Sequence, residues 1–415
     1  MLFIYRILIN LVILISPIII TLRLIIKKEN FFRFKEKFCF FSQKKLKGRL
    51  IWFHGASVGE LQSIFPLLEK LEKKNEFDQI LVTSNTLSSS KIMEKLKSKK
   101  IIHQFFPIDT NLLTKKFLDY WKPSFVFFID SEIWPNMIYN LKKKNVPMGL
   151  INGRITKKTF IRWSKIPNFS KNIFENFKLC LSSSNESKKY LKKLGVKNVK
   201  FIGNLKFSQS ENEKNILDTN LKKFLKSRKV WCASSTHKTE EYICGKVHKS
   251  LKKKYKNLLT IIIPRHIHRV KNLDYEIKNL NLKTALHSSK PQNLSEIDIY
   301  IVDTFGETQI FHKLGYSVFL GGSIIKRGGQ NPLEAARYDA NILHGPNVDN
   351  FKDVYKLLNK FNIAKKINSP KELAYSLIFK KNKNQGLTIK NIGKKILKKT
   401  LKELDSIIKN DFKKT

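Results

Sequence analysis

The segment His54-Gly55-Ala56-Ser57-Val58-Gly59-Glu60 sets a cluster of small residues and one carboxylate directly behind a short apolar run, Leu50–Phe53. Small residues at a strand end let backbone approach a ligand, and a helix starting there aims its free N–H groups at the same place. Glu60 falls in the first turn of that helix. Two readings are open: a capping carboxylate that complements the helix dipole, or a general base that takes a proton from an acceptor hydroxyl. A second segment, Asp130-Ser131-Glu132-Ile133-Trp134-Pro135-Asn136, follows the run Phe125–Ile129 and places two carboxylates beside Trp and Pro. Helix capping is again the plain alternative to chemistry. Asn152-Gly153-Arg154 brings a cation to the end of the next run, and Gly203-Asn204-Leu205-Lys206-Phe207 offers a Lys able to reach a phosphate.

The second half repeats the theme with a different chemistry. Ala233-Ser234-Ser235-Thr236-His237 precedes Glu240 and Glu241, Pro264-Arg265-His266 closes another run, and Asp303-Thr304-Phe305-Gly306-Glu307 a third. Gly321-Gly322-Ser323 leads to Arg327-Gly328-Gly329-Gln330-Asn331-Pro332-Leu333-Glu334. Hydroxyls, a rim Arg, and glycines before a helix opened near a Pro suit an anion, and Glu334 could hold ribose hydroxyls. A Gly-rich loop alone is a weak signal; four such rims at strand ends are stronger together. No His/Cys/Asp/Glu set has metal-ligand spacing, and no H-E-x-x-H, G-x-S-x-G or Walker loop occurs. Hydrolase and P-loop NTPase classes lose support, and neither metal nor cofactor is expected.

The elements that must position these residues are short apolar runs alternating with longer amphipathic ones. Strands are expected at Leu50–Phe53, Ile80–Thr83, Phe125–Ile129, Met148–Asn152 and Leu179–Ser182, with helices such as Leu61–Lys74 and Pro135–Lys144 between them. The polar stretch 209–228 interrupts the pattern. It restarts at Val230–Ala233, Leu259–Pro264, Ile299–Val302, Val318–Gly321 and Ile342–His344. Such alternation predicts parallel sheets with crossover helices. The expected fold is α/β: two Rossmann-like domains facing across a cleft, the GT-B layout, jointed near residue 210. The Lys-rich tail after 385 has Ile and Leu at helical spacing and predicts a final amphipathic helix.

The 415 residues favour two to three domains at ~150 residues each. With 42% hydrophobic and 11% aromatic residues the chain is not a polar disordered one. Four scattered cysteines, Cys39, Cys180, Cys232 and Cys244, fit a reducing compartment rather than a disulfide framework. Residues 2–26 are apolar apart from Arg6, Asn10 and Arg23, long enough to cross a bilayer core of about 20 residues. Cations from Arg23 to Arg49 follow, which predicts an uncleaved anchor with the rest of the chain in the cytoplasm; Pro17 and Arg23 leave an interfacial helix as the alternative. The net charge of +47 calls for an anionic partner: nucleic acid, anionic lipid or a phosphorylated substrate. No nucleic-acid reader motif is present, so nucleic acid is not an expected partner.

In order along nearly the whole chain stand WFHGASVGE (52–60), SEIWPN (131–136), NGRIT (152–156), GNLKF (203–207), STHKTEE (235–241), PRHIHR (264–269), DTFGE (303–307) and GGSIIKRGGQNPLEAA (321–336). This set resembles the 3-deoxy-D-manno-octulosonic acid (Kdo) transferases of lipopolysaccharide synthesis. The resemblance implies a GT-B enzyme with an N-terminal anchor at the cytoplasmic face of the bacterial inner membrane. It implies transfer of Kdo from CMP-Kdo to the lipid A precursor, lipid IVA, with inversion; another membrane-associated GT-B transferase using a different nucleotide sugar is the alternative. It further implies Glu60 as catalytic base, and Asp130 and Lys206 as transition-state support. The CMP part would be held by Pro264, Arg265, Phe305, Gly306, Glu307, Asn331, Pro332, Leu333 and Glu334. The implied domains are 1–30 anchor, 31–210 acceptor domain, 211–385 CMP-sugar-binding domain and 386–415 C-terminal helix. Three departures stand out: the family usually has Glu where this chain has Asp130 and His where it has Gln330, and the loop 84–90, SNTLSSS, is less orthodox.

Overall fold

Runs too apolar to face water on either side become the centres of two parallel sheets. The computed structural model describes residues 1–96, 98–209, 218–291 and 294–412. The chain divides into two units, Met1–Ser210 with Ile392–Thr415, and Glu211–Asn391. The joint expected near residue 210 falls on 210–217, outside the described residues.

The first unit carries β1 (Leu50–His54), β2 (Gln79–Ser84), β3 (Ile101–Phe105), β4 (Phe125–Ile129), β5 (Met148–Gly153), β6 (Phe177–Ser182) and β7 (Val199–Phe201), in the order β3-β2-β1-β4-β5-β6-β7. Every residue of β1 and β4 is buried, as strands covered on both faces must be. The Phe127 ring stacks on Phe125 at 4.7 Å and on Phe53 at 5.5 Å between centroids. Strand order reverses between β1 and β4, so the loops leaving them diverge and open a crevice at their carboxyl ends. Those loops hold Glu60 and Asp130.

The second unit carries β8 (Lys229–Thr236), β9 (Leu258–Pro264), β10 (Thr284–Leu286), β11 (Ile299–Ile301), β12 (Ser317–Leu320), β13 (Asn341–His344) and β14 (Ala364–Lys366), in the order β10-β11-β9-β8-β12-β13-β14. Its order reverses between β8 and β12, the strands that lead into His237 and Gly321. The expected parallel α/β architecture is present in both units. The four strands that sequence patterning did not find, β3, β7, β10 and β14, are the four sheet edges. An edge strand is short and half-solvated, so it carries no continuous apolar run. All four cysteines are buried and free.

The helix Leu2–Ile25 runs unbroken through Pro17. Arg23 pairs with the buried Glu29 at 3.1 Å and Lys37 with the same carboxylate at 2.6 Å, while Arg33 pairs with the buried Glu36 at 2.7 Å. Three cations of the expected lipid-facing cluster are therefore paired at home with two carboxylates; Lys27, Lys28, Lys35, Lys44 and Lys47 remain exposed. The final helix, Gln385–Phe412, starts in the second unit, where the Gly386 N–H donates to Asp339 at 2.7 Å. From Ile392 it belongs to the first unit, where Asp405 meets Lys74 and Glu403 meets Lys200 at 2.6 Å.

Gly149 lies where only hydrogen fits: a Cβ there would sit 2.7 Å from the Phe127 ring, which its stacked neighbours hold in place. Gly149→Ala should lower unfolding free energy by about 1–3 kcal/mol, the usual range for overpacking. Urea unfolding of the full chain, followed by tryptophan fluorescence, checks this; an unchanged midpoint would mean that the sheet repacks freely.

Candidate active site

Ser57 caps the helix Val58–Glu72 and Glu60 returns the bond, forming a capping box. The Glu60 Oε2 accepts the Ala56 N–H at 2.7 Å and the Ser57 N–H at 3.3 Å. Its Oε1 makes no hydrogen bond among the described residues. The capping reading is thus true of one oxygen and leaves the other for a ligand. Burial is the largest influence on this carboxyl, followed by the charges of Asp130 and Glu132; they outweigh the cap and push it up to about 7. A carboxylate poised near neutrality is what proton transfer at cellular pH requires.

Asp130 occupies the position after β4 with φ 55°, a left-handed conformation uncommon outside Gly, Asn and Asp. It is buried and doubly held: Asn152 Nδ2 donates to one carboxylate oxygen and Lys206 Nζ to the other at 3.3 Å. Asn152, itself at φ 56°, accepts the Leu205 N–H at 2.9 Å, so the ends of β4 and β5 and the turn carrying Lys206 form one network. The sequence suggested a Lys206 reaching for phosphate; here its amine faces Asp130. Glu132 accepts His54 Nε2 at 3.2 Å and Trp134 Nε1 at 2.9 Å. His54 is fully buried, bonded to Thr83 at 2.9 Å and stacked on Phe106 at 3.9 Å. Three carboxylates, Glu60, Asp130 and Glu132, therefore converge at the switch point, each fixed by donors of this unit.

The second unit gathers cations instead. The Arg265 N–H donates to the Thr236 carbonyl at 2.9 Å while its side chain is exposed. The His237 ring meets His266 edge to face at 5.5 Å and carries an Nε2 without a partner among the described residues. Burial, and then the charges of His266, Arg327 and Arg265, hold His237 below its ordinary value against the pull of Glu240. Nearby, Phe305 is 86% exposed, free to lie against a flat ring. Glu307 bonds Thr304 and meets His287 Nε2 at 3.2 Å. Asn331 Oδ1 accepts the Leu333 N–H at 3.2 Å beside Pro332, opening the short helix Leu333–Arg337. Burial raises the half-exposed Glu334 carboxyl there.

One expectation changes. The glycine loop 321–324 does not offer its N–H groups to an anion. The buried Glu240 accepts those of Gly322, Ser323 and Ile324 at 2.7, 3.1 and 3.0 Å, and that of His237 at 3.1 Å. A Cβ at Gly321 would lie 2.6 Å from the Ser235 carbonyl, which is why the strand end is glycine. The loop is a fixed rim, and the side chains of His237, Arg265 and Arg327 are the cationic or titratable groups gathered beside it. The fixing residues, Glu240 and Asn152, are ordinary polar residues in sequence; only their position at strand ends could have drawn attention to them.

The chain has relatives among known proteins. Residues 32–209 match the family model described as 3-deoxy-D-manno-octulosonic-acid transferase (kdotransferase). The 3-deoxy-D-manno-octulosonic acid transferase of Rickettsia bellii is 35% identical over 387 residues, 92% of this chain and 91% of that protein. A probable mitochondrial 3-deoxy-D-manno-octulosonic acid transferase of Arabidopsis thaliana is 31% identical over 87% of this chain and 83% of that one. Among solved structures, the UDP-GlcNAc 2-epimerase of Neisseria meningitidis bound to UDP-GlcNAc superposes with a TM-score of 0.58 at 14% identity, covering 85% of this chain and all of that one; the likeness is one of fold. With relatives of that identity along nearly its whole length, this chain belongs to the 3-deoxy-D-manno-octulosonic acid transferase family.

Proposed function

We propose that this protein transfers Kdo from CMP-Kdo to lipid IVA at the cytoplasmic face of a bacterial inner membrane. Residues 1–30 would attach it to the membrane, 31–210 would receive the acceptor, 211–385 the CMP-sugar, and the helix at 386–415 would close the chain. The observation that carries the reading is the Glu60 carboxyl, with one oxygen tied to backbone and burial raising it to about 7. Glu60 Oε1 takes the proton of an acceptor hydroxyl, whose oxygen attacks the anomeric carbon of Kdo opposite CMP and inverts it. The C–O bond to the CMP phosphate breaks, and the electron pair leaves with the nucleotide. The transition state is oxocarbenium-like, so a carboxylate such as Asp130, restrained by Asn152 and Lys206, stabilises it electrostatically. Arg265, His237 and Arg327 meet the phosphate, Phe305-Gly306-Glu307 the base, and Asn331 to Glu334 the ribose. Mass spectrometry of products from CMP-Kdo and lipid IVA with the purified protein tests this. A mass gain of one or more Kdo units is expected; gain only with a UDP- or ADP-sugar would overturn the donor assignment.

Glu60→Gln keeps an oxygen for the two N–H groups but cannot act as a base. It should slow turnover by about 10²–10⁴-fold, the usual worth of a placed proton acceptor. In the parent, kcat should rise with pH through about 7 as Glu60 ionises and level off above. Folding responds with the opposite sign. From the ordinary value of 4.5 up to about 7 the unfolded chain ionises before the folded one, so the parent loses stability across that window. Glu60→Gln should therefore melt above the parent at pH 8, with the gap closing toward pH 4.5. A normal rate in Glu60→Gln would remove it as the base.

Arg265→Ala should raise KM for CMP-Kdo by about 10- to 100-fold, since a hydrogen bond to a charged group contributes ~1.5–3 kcal/mol. Its kcat should change far less. Steady-state kinetics with the donor varied decide this, and an unaltered KM would take Arg265 off the phosphate.

A further inference from the structure

The helix Leu2–Ile25 does not stand away from the first unit. Tyr5, Ile9, Ile13, Ser16, Ile20 and Arg23 are withdrawn from solvent and recur every three or four residues, one stripe along the whole helix. The opposite face exposes Phe3, Leu8, Leu11, Leu14, Ile18 and Ile25. A helix leaving its domain to cross a bilayer would be exposed all round. A helix with one protein face and one apolar outer face, followed by exposed lysines, suits the plane of an anionic lipid surface.

Apolar packing holds a helix down without fixing its rotation or axial position. Directional bonds do both; beside the Arg23–Glu29 pair at its far end, this helix makes them near its start. Tyr5 Oη donates to Asp109 Oδ2 at 2.8 Å, Arg6 Nε to Asn136 Oδ1 at 2.9 Å and Arg6 Nη2 to Asn111 Oδ1 at 3.0 Å. The guanidinium also lies 4.9 Å from the Tyr139 ring centre. Asp109 and Asn136 are buried. Asp109 accepts the N–H groups of Asn136 and Met137 at 3.0 and 2.9 Å, which are the opening turn of the helix Pro135–Lys143. That helix begins directly after the loop carrying Asp130 and Glu132. Hydrogen bonds therefore link the apolar helix, through Asp109 and Asn136, to the loop that flanks Glu60.

We propose that Tyr5 and Arg6 are positioning residues, fixing the height of the 130–136 loop above the lipid surface so that the sugar of a bilayer-held acceptor arrives at Glu60. This rests on the reading of the acceptor as a membrane lipid. The Tyr5→Phe/Arg6→Gln variant of the full chain keeps the apolar outer face. It should bind vesicles of phosphatidylethanolamine and phosphatidylglycerol as the parent does. Its rate on lipid IVA embedded in those vesicles should fall tenfold or more, and its rate on the water-soluble deacylated acceptor should stay within twofold. Height is read separately. The native cysteines are buried, so a dye on Leu112→Cys, an exposed position beside Asn111, reports energy transfer to a headgroup-labelled lipid. Transfer efficiency should differ between parent and variant. Unchanged efficiency, equal loss of both rates, or equal retention of both would overturn the proposal, as would loss of vesicle binding. A parent inactive on both acceptors would overturn the acceptor reading instead, and the dye would still decide the height.

Discussion

A carboxylate taken out of water and left only half-compensated is the constraint around which the first unit is arranged. Glu60 loses solvation by burial and faces two further carboxylates, Asp130 and Glu132. Against this stand two backbone N–H groups and the end of a helix. Full compensation would leave an inert cap with an ordinary acidity, and none would leave a permanently neutral acid. The balance is set by geometry: Ser57 must cap the helix, the loops leaving β1 and β4 must diverge, and each neighbouring carboxylate must be held by its own donors. Asn152 and Lys206 restrain Asp130, while His54 and Trp134 restrain Glu132.

The second unit solves the opposite electrostatic problem. Its rim gathers the cations Arg265 and Arg327 beside His237. The buried carboxylate of Glu240 is spent on four backbone N–H groups rather than on the cations. Glu241 meanwhile takes Arg269 at 3.0 Å. Arg265, His237 and Arg327 are left to a ligand. The strand-end networks of two units of the same architecture thus leave over opposite charge, carboxylates in the first and cations in the second.

How much of this was legible in sequence follows from what burial does to composition. Central strands such as Phe125–Ile129 must be apolar on both faces, so they stand out, and the residues just after them become candidates at once. Glu60, Asp130 and Arg265 became candidates in that way, whereas Glu334, well beyond the end of β12, was singled out by the Gly-rich stretch before it. The edges β3, β7, β10 and β14 were not, because a half-solvated strand needs no distinctive run. Equally invisible were pairings between distant loops. Nothing in a linear pattern says that Glu240 serves the 322–324 backbone, that Asn152 braces Asp130, or that Tyr5 meets Asp109 more than a hundred positions away. Backbone strain at Asp130 and Asn152 was hidden for the same reason: a positive φ is set by the loop as a whole. The family motifs supplied the candidates; the fold supplied the bonds between them.

The last helix belongs to both units, and this bears on the order in which the protein can be made. Ile396 lies against Gly203, and Asp405 and Glu403 pair with Lys74 and Lys200, so the first unit includes residues synthesised after the whole of the second. On a ribosome the second unit, continuous in sequence, has all its strands before the first unit has all its parts. The apolar N-terminal helix emerges before either, and its partners Asp109 and Asn136 follow only after more than eighty further residues. For much of translation its outer face is therefore a sticky segment without its polar clamp. The order of synthesis thus leaves the helix apolar and unclamped until the strands and loops that hold Asp109 and Asn136 have formed.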